Sequence, residues 1–368
     1  MFKDNNKIKL DFLAKFFPLE KKSFRNFFRL SVVLNKKVKK NILLEALNLS
    51  LNNYPYFKVK LKNGLFWNYL VYNNENPIVF IDNNINQNFE IIDFNTNNNY
   101  LFKVSYKKNI ININFFHSLT DGNGALIFFK DIIYNYLDII YHIKNNNNSI
   151  LVNTHSINNL KHIFSKSFVT KKQEKAFKIV SNKQSFKNYY FILNVNDLKK
   201  ISKKYNVTIT EYLTSLLIYS IYKTEYIGNN PIVICIPINL RKKYNIKSLT
   251  NFFTRMHIKF KSKDKDKDIS FEELIKEVSK QFKYNLKDEN INYFSNKELK
   301  LCSNPFINGI PLFIKKWIIS INTKRIRNYS TTILTNLGVI YVDDIYKKYN
   351  ETPRSKLRGI FLCDTFKR

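Results

Sequence analysis

The run Ile110-Ile111-Asn112-Ile113-Asn114-Phe115-Phe116 delivers the chain to His117, and Asp121 and Gly122 follow four and five residues later. An imidazole has an ordinary pKa of about 6.5, so its neutral form can take a proton from an alcohol, a thiol or an amine near pH 7. At the end of a strand such a base would be held rigidly beside a cleft. Asp121 could orient the ring or organise the loop by pairing with a cation, and Gly122, lacking a Cβ, could let the backbone turn tightly or a ligand come close. A histidine near an aspartate is by itself common in ordinary loops and cores, so the pattern needs support from what surrounds it.

The remaining candidates offer less. His142 falls at the end of a helical pattern, His155 and His162 lie in a polar stretch, and His257 sits in a strand pattern. Cys235, Cys302 and Cys363 are too few and too dispersed for a disulfide framework or a C-x-x-C site, which points to a reducing cytoplasm. No metal-ligand spacing, phosphate-binding glycine loop, dinucleotide fingerprint or RNA-binding aromatic signature is present.

The elements that must hold His117 are legible around it. Phe27–Leu34 reads as a strand. Leu43, Leu47 and Leu51 recur every four residues as one helix face over 39–53, with Pro55 just beyond. Phe57–Leu61 and Leu65–Tyr72 flank Lys62-Asn63-Gly64, a hairpin in which the glycine would supply a positive φ. Leu101–Tyr106 pairs with Ile110–Phe116, whose Ile111, Ile113 and Phe115 share one side while Asn112 and Asn114 take the other. After His117, the pattern Leu126, Phe129, Ile133, Tyr136 or Leu137, Ile140 predicts a helix that stops at the asparagines 145–148. The histidine therefore sits between strand and helix. In the second half a strand is expected near 189–195 and a helix over 197–205. Two capping-box pairs, Thr208 with Glu211 and Ser270 with Glu273, each open a helical pattern, and Ile232–Pro237 reads as a buried strand.

Bulk properties bound the reading. The 368 residues, 44% hydrophobic and 15% aromatic, fill one core and have enough for two. A net charge of +33 invites a nucleic-acid reading, yet only nine of the 61 basic residues are arginine and they are spread along the chain. Lys, Asn, Ile, Phe and Tyr all have A/T-rich codons, so base composition accounts for the charge more simply, and no specific nucleic acid is expected. A basic surface would still attract an anionic ligand. No apolar run reaches the roughly 20 residues of a membrane span, and nothing of signal-peptide length follows Met1. The nearest, Phe306–Ile321, is interrupted by Asn308, Lys315 and Lys316; it is expected to line a core or tunnel wall, with weak contact to a membrane surface as the alternative.

His117-Ser118-Leu119-Thr120-Asp121-Gly122 resembles the H-x-x-x-D-G signature of the superfamily of coenzyme A-dependent acyltransferases that includes chloramphenicol acetyltransferase, condensation domains, carnitine acyltransferases and alcohol acetyltransferases. Within it the chain is most similar to the alcohol acetyltransferase group. The upstream landmarks are Tyr54-Pro55-Tyr56-Phe57 and Gly64-Leu65-Phe66-Trp67. Downstream, in order, come Pro237-Ile238-Asn239-Leu240-Arg241, Thr250-Asn251-Phe252-Phe253, Asn304-Pro305-Phe306 and Thr335-Asn336-Leu337-Gly338.

The resemblance covers roughly residues 15 to 349 and implies an α/β chain of two lobes, each a mixed sheet packed with helices, with a tunnel between them. The polar, weakly periodic stretch 151–187 reads as the crossover between an N-terminal lobe over 1–150 and a C-terminal lobe over 188–350, and the changed composition of 351–368 marks an atypical tail. The resemblance further implies that His117 Nε2 takes the proton of an alcohol as the alcohol attacks an acyl-CoA thioester, acetyl foremost. On this pattern no covalent acyl-enzyme is needed, acyl-CoA is expected as a co-substrate, and no bound cofactor or metal is expected. Asp121 is implied to form a structural salt bridge, here with Arg241, beside Gly122. Asn239, Thr335, Asn336 and Gly338 become candidates for contacting substrate or CoA, and Trp67 and Tyr69 core or tunnel-lining residues. An amine or carrier-bound acceptor, an inactive remnant and a basic binding protein are the competing readings. The family pattern continues with several strands and a helix beyond the Asn336 region, whereas thirty residues follow Gly338 here, so an incomplete C-terminal lobe is expected. The last eighteen residues, 351–368, contain no Asn yet carry Arg354, Arg358 and Arg368.

Overall fold

The computed structural model describes residues 7–20, 26–82, 91–143, 174–179, 189, 191, 193–226, 229–262, 268–326, 329–341, 343, 346 and 358–360. In chain order the first half comprises β1 (Ile8–Lys9), β2 (Phe27–Val33), α1 (Lys40–Asn53), β3 (Val59–Lys62), β4 (Tyr69–Tyr72), β5 (Val79–Ile81), β6 (Phe102–Lys107), β7 (Ile110–Phe116) and α2 (Gly122–Tyr141). β2, β7 and β6 pair antiparallel, β5 joins β6 in parallel, and β11 (Arg358–Ile360) extends the other edge beside β2. The rest of the 351–368 tail lies outside the described residues.

One face of this sheet follows from alternation. Leu30, Val32, Ile111, Ile113 and Phe115 point into a core closed by Leu43, Leu47 and Leu51 of α1 and by Phe128, Phe129, Ile132 and Leu137 of α2. The other face is polar and also buried: Arg29 Nε donates to Asn114 Oδ1 (2.7 Å), Ser31 Oγ to Asn112 Oδ1 (2.6 Å), and both Arg29 and Asn112 reach Asp82 Oδ2. Burial of these groups is tolerable because each finds a partner across the strands.

β3 and β4 form the expected hairpin, with shorter strands. The expected positive φ at Gly64 is corrected: its backbone is not left-handed, and a Cβ there would lie 2.4 Å from Trp67 O, so close approach is what requires glycine.

The second half contains α3 (Val195–Lys204), α4 (Ile209–Thr224), β8 (Ile232–Asn239), α5 (Arg241–Tyr244), β9 (Phe253–Phe260), α6 (Phe271–Asn285), α7 (Asp288–Ser303), α8 (Pro305–Gly309), α9 (Leu312–Ile326) and β10 (Thr332–Ile333). β8 pairs antiparallel with β9 and parallel with β10. Both capping boxes form, at Thr208 with Glu211 and at Ser270 with Glu273. Ile232, Ile234, Ile236, Met256 and Ile258 pack with Ile218 of α4 and with Leu274, Val278 and Phe282 of α6 as a second core.

Of the expected crossover, 151–173 and 180–187 lie outside the described residues; within 174–179, Phe177 is buried in the second core and its N–H donates to Pro231 O. Two expectations change. The described residues of 189–194 carry no strand, and Tyr189, Phe191 and Leu193 are exposed. Phe306–Ile321 is not a core or tunnel wall throughout: Phe306, Phe313 and Trp317 are exposed while Leu312 and Lys315 are buried. Apolar composition alone does not reveal which face a helix covers.

A third cluster, Phe12, Leu13, Leu240, Phe252, Ile291 and Leu299, joins the N-terminal segment to the second half. Its neighbours Leu10 and Ala14 belong to the first core. Residues 10–17 thus form a seam between the halves, and His117 lies against that seam.

Candidate functional site

β7 ends at Phe116 and α2 begins at Gly122, so residues 117–121 are the turn between them, and each is fastened. His117 N–H donates to Asn26 O (2.8 Å), Ser118 Oγ to Ala14 O (3.2 Å) and Thr120 Oγ1 to Leu249 O (2.6 Å). Leu119 O accepts from the Tyr56 hydroxyl at 2.6 Å, so Tyr54-Pro55-Tyr56-Phe57 braces the turn from below.

The His117 ring stacks on Phe17 (centroids 4.9 Å, planes 13° apart) and meets Phe28 at 4.6 Å. Burial between these rings lowers its pKa to about 4, although the negative charge of Asp121 and the Asn251 side chain both favour the charged form. The imidazole is therefore neutral at pH 7, as a proton acceptor must be.

Asp121 caps α2, its Oδ1 accepting from Asn123 N–H (3.1 Å) and Gly124 N–H (3.0 Å). The same carboxylate takes a two-pronged contact from Arg241, Nη1 to Oδ2 at 2.8 Å and Nη2 to Oδ1 at 2.9 Å, and a further bond from Phe252 N–H at 2.9 Å. Arg241 spends its other N–H groups on Ser248 O, Thr250 O and Asn239 Oδ1, so all five guanidinium donors are used. This junction ties the start of α2 to the loop between β8 and β9.

Gly122 occupies the first turn of α2 without a left-handed φ. The tight glycine is Gly124, where a Cβ would fall 2.3 Å from Thr120 Oγ1 and 2.4 Å from the backbone Leu249 O. Gly124→Ala is expected to destabilise the protein by ~1–3 kcal/mol through overpacking, read as a lower urea midpoint at unchanged m-value.

Asn239 is exposed and its Oδ1 is occupied by Arg241 N–H and Nη1. Thr335, Asn336 and Gly338 stand apart from His117 in every contact seen. Asn336 Nδ2 donates to Thr210 Oγ1 (3.0 Å) at the start of α4, its Oδ1 accepts from Gly338 N–H (2.8 Å), and Gly338 has φ 75°. Leu337 packs on the first core, so this loop also bridges the halves. Trp67 is half-buried, with Lys15 and Lys315 over its ring.

Two site residues went unread in the sequence. Asn251 Nδ2 donates to His117 O (2.9 Å) and to Asp11 Oδ2 (3.3 Å), and its backbone N–H also meets Asp11 Oδ2. With the amide nitrogen held by a carbonyl and a carboxylate, Oδ1 must face away from both; it is buried without a partner, and so is His117 Nδ1. Asp11 itself is buried, which raises its pKa to about 6. Only the landmark Thr250-Asn251-Phe252-Phe253 hinted at Asn251; nothing local marked Asp11.

Among the described residues no group of three or more His, Cys, Asp and Glu is placed to hold a metal ion, and no helix is long and apolar enough to cross a membrane.

No family model and no curated protein matches the sequence. The fold has clear counterparts among solved structures. F. graminearum TRI101, complexed with coenzyme A and T-2 mycotoxin, superposes with a TM-score of 0.61 over 97% of this chain and 89% of that one, at 12% identity. Polyketide synthase associated protein 5 from Mycobacterium tuberculosis gives 0.56 over 80% and 76%, at 12% identity. The starter condensation domain of rhizomide synthetase RzmA gives 0.51 over 82% and 77%, at 10% identity. The chain has the two-lobed α/β fold of coenzyme A-dependent acyltransferases.

Proposed function

We propose that this chain transfers an acyl group, acetyl foremost, from coenzyme A to an alcohol hydroxyl, with His117 as general base. The observation that carries the reading is a neutral, aromatic-clasped imidazole on the seam of a two-lobed acyltransferase fold, its Nδ1 buried beside the unpartnered Oδ1 of Asn251. A proton on Nδ1 directed to that oxygen leaves the Nε2 lone pair for the acceptor. As the acceptor oxygen bonds to the thioester carbonyl carbon, its proton moves to Nε2. The tetrahedral oxyanion then reforms the carbonyl, the C–S bond breaks, and coenzyme A leaves as the thiolate. The Asn251 oxygen steadies the transient imidazolium. No cysteine is required as nucleophile; Cys235 is buried on β8.

In this reading Asp121 and Arg241 are a clamp that fixes the turn, and Thr335, Asn336, Gly338 and Asn239 remain candidates for contacts to CoA or the acyl group. The domain division at residues 150, 187 and 350 belongs to the same proposal, as does a cytoplasmic location, supported by three dispersed cysteines. The basic balance of +33 favours an anionic co-substrate.

The direct test is to incubate the protein with acetyl-CoA and a panel of alcohols and amines and to follow thiol release. Turnover confined to amines would replace the hydroxyl assignment. Because the His117 pKa lies near 4, kcat/KM should stay level as pH falls from 7 to about 5 and decline only near 4. An acid limb centred near 6.5 would mean the ring is solvated and the site differently built.

Stability gives a second titration. Between about pH 4 and 6 the unfolded state binds a proton at His117 that the folded state lacks, so this residue makes stability fall as pH falls. Asp11 does the reverse: its folded pKa of about 6 exceeds its ordinary 3.8, so its contribution is lost as pH rises through 6. The two slopes oppose each other. Asp11→Asn should therefore add a slope of ~1.4 kcal/mol per pH unit relative to the parent, stability falling toward acid, measured by urea unfolding across pH 4.5–6.

A further inference from the structure

The β3–β4 hairpin tip and the helices α8 and α9 leave large apolar side chains in solvent: Leu65 is 72% exposed, Phe66 42%, Phe306 86%, Phe313 72% and Trp317 67%. On α9, Phe313 and Trp317 stand one turn apart on one face, while Leu312 and Lys315 on the opposite face are buried. The two segments are one platform. Leu312 N–H donates to Leu65 O (2.8 Å), Trp67 Nε1 donates to Asn308 Oδ1 (2.9 Å), and Lys315 Nζ reaches Phe66 O (2.8 Å) while lying 3.9 Å over the Trp67 ring. Contiguous exposed apolar surface of this kind marks an interaction site.

The surrounding charge says what sits there. No acidic residue occurs between Glu45 and Glu75, nor between Glu298 and Asp343, whereas Lys58, Lys60, Lys62, Lys300 and Lys316 lie within those two stretches. Rings carrying cations, with Lys15 and Lys315 over Trp67 and Lys315 near Phe66, on stretches that hold lysines and no acidic residue, suit the headgroup zone of an anionic bilayer, where rings enter the interface and lysines meet lipid phosphate. With no membrane-spanning helix among the described residues, contact would be from one side.

We infer that this platform docks the protein on an anionic membrane surface. It stands next to the candidate base: Phe16 meets Trp67 edge-on at 6.3 Å, and the following residue, Phe17, stacks on His117. A bilayer-dissolved acceptor would thus enter beside the imidazole. That delivery role rests on the acyl-transfer reading; the docking does not.

The test is flotation of the full chain with phosphatidylcholine vesicles with or without phosphatidylserine. Binding at least ~10-fold stronger to the anionic vesicles is expected, falling by ~10-fold or more in Phe313→Ser/Trp317→Ser, with circular dichroism unchanged. In a Trp67→Phe background, Trp317 emission should shift to the blue on those vesicles. His117→Ala should bind as the parent does, so failure of catalysis and failure of docking are separable. Absence of vesicle binding, equal binding by the parent and the aromatic variant, or equal affinity for both lipid mixtures would overturn the proposal. A lipid-free dimer dispersed by the same substitutions would assign the platform to a second copy and overturn it too.

Discussion

His117→Ala is expected to lower kcat/KM for acyl transfer by ~10²–10⁴-fold, the usual weight of a positioned general base, while leaving the protein folded. The two halves of that expectation have different origins. The loss follows because among the described residues the other imidazoles stand elsewhere: His142 ends α2 and His257 lies within β9. The retained fold follows because the turn is held by main-chain bonds that alanine keeps, His117 N–H to Asn26 O and Asn251 Nδ2 to His117 O, while the ring gives up its packing on Phe17 and Phe28 and its polar contacts with Asn251 and the Thr120 backbone. Circular dichroism and a urea melt read the second half, and thiol release from acetyl-CoA the first. Equal rates for parent and variant across a broad acceptor panel would end the catalytic claim. Asn251→Ala separates positioning from chemistry: it should lower kcat more than it raises KM and should move the acid limb of the pH profile, because the group favouring the charged imidazole is gone.

What could be read in advance depended on sequence distance. The strand before His117, the helix after it and both capping boxes are written in neighbouring residues, and they form. Alternation in β7 told Asn112 and Asn114 from Ile111 and Ile113, but it could not say that the polar face is buried too, because Arg29 and Asp82, its partners, come from β2 and the end of β5. The same limit hid Asp11, whose bonds to Asn251 span 240 positions. Pairing of Asp121 with Arg241 was reached through resemblance, since a capping aspartate looks the same whether or not a cation waits on the other lobe. For Phe313 and Trp317, hydropathy registered apolar side chains and was silent on what covers them.

Asp121→Ala should be the most destabilising single change at the site. It leaves the Arg241 guanidinium short of the acceptors for two of its donors, in a position where only 11% of the side chain is exposed. Breaking one side of such a pair costs ~3–5 kcal/mol, and loss of the α2 cap adds ~1 kcal/mol. Against a usual total of ~5–15 kcal/mol, that brings the fold close to collapse. The reverse change should be milder. After Arg241→Ala the carboxylate still accepts from Asn123, Gly124 and Phe252 N–H, so it is not stranded, and the double variant should be little worse than Asp121→Ala alone. Asp121→Asn sharpens the test, because the amide can keep the cap on Gly124 while giving up the charge. If Asp121 is a clamp, Asp121→Asn should lose stability and activity together, and activity should return at low temperature or with a stabilising osmolyte. A folded Asp121→Asn protein, within ~1 kcal/mol of the parent but inactive, would show instead that the carboxylate acts on the imidazole directly, through the favourable charge that His117 feels from it.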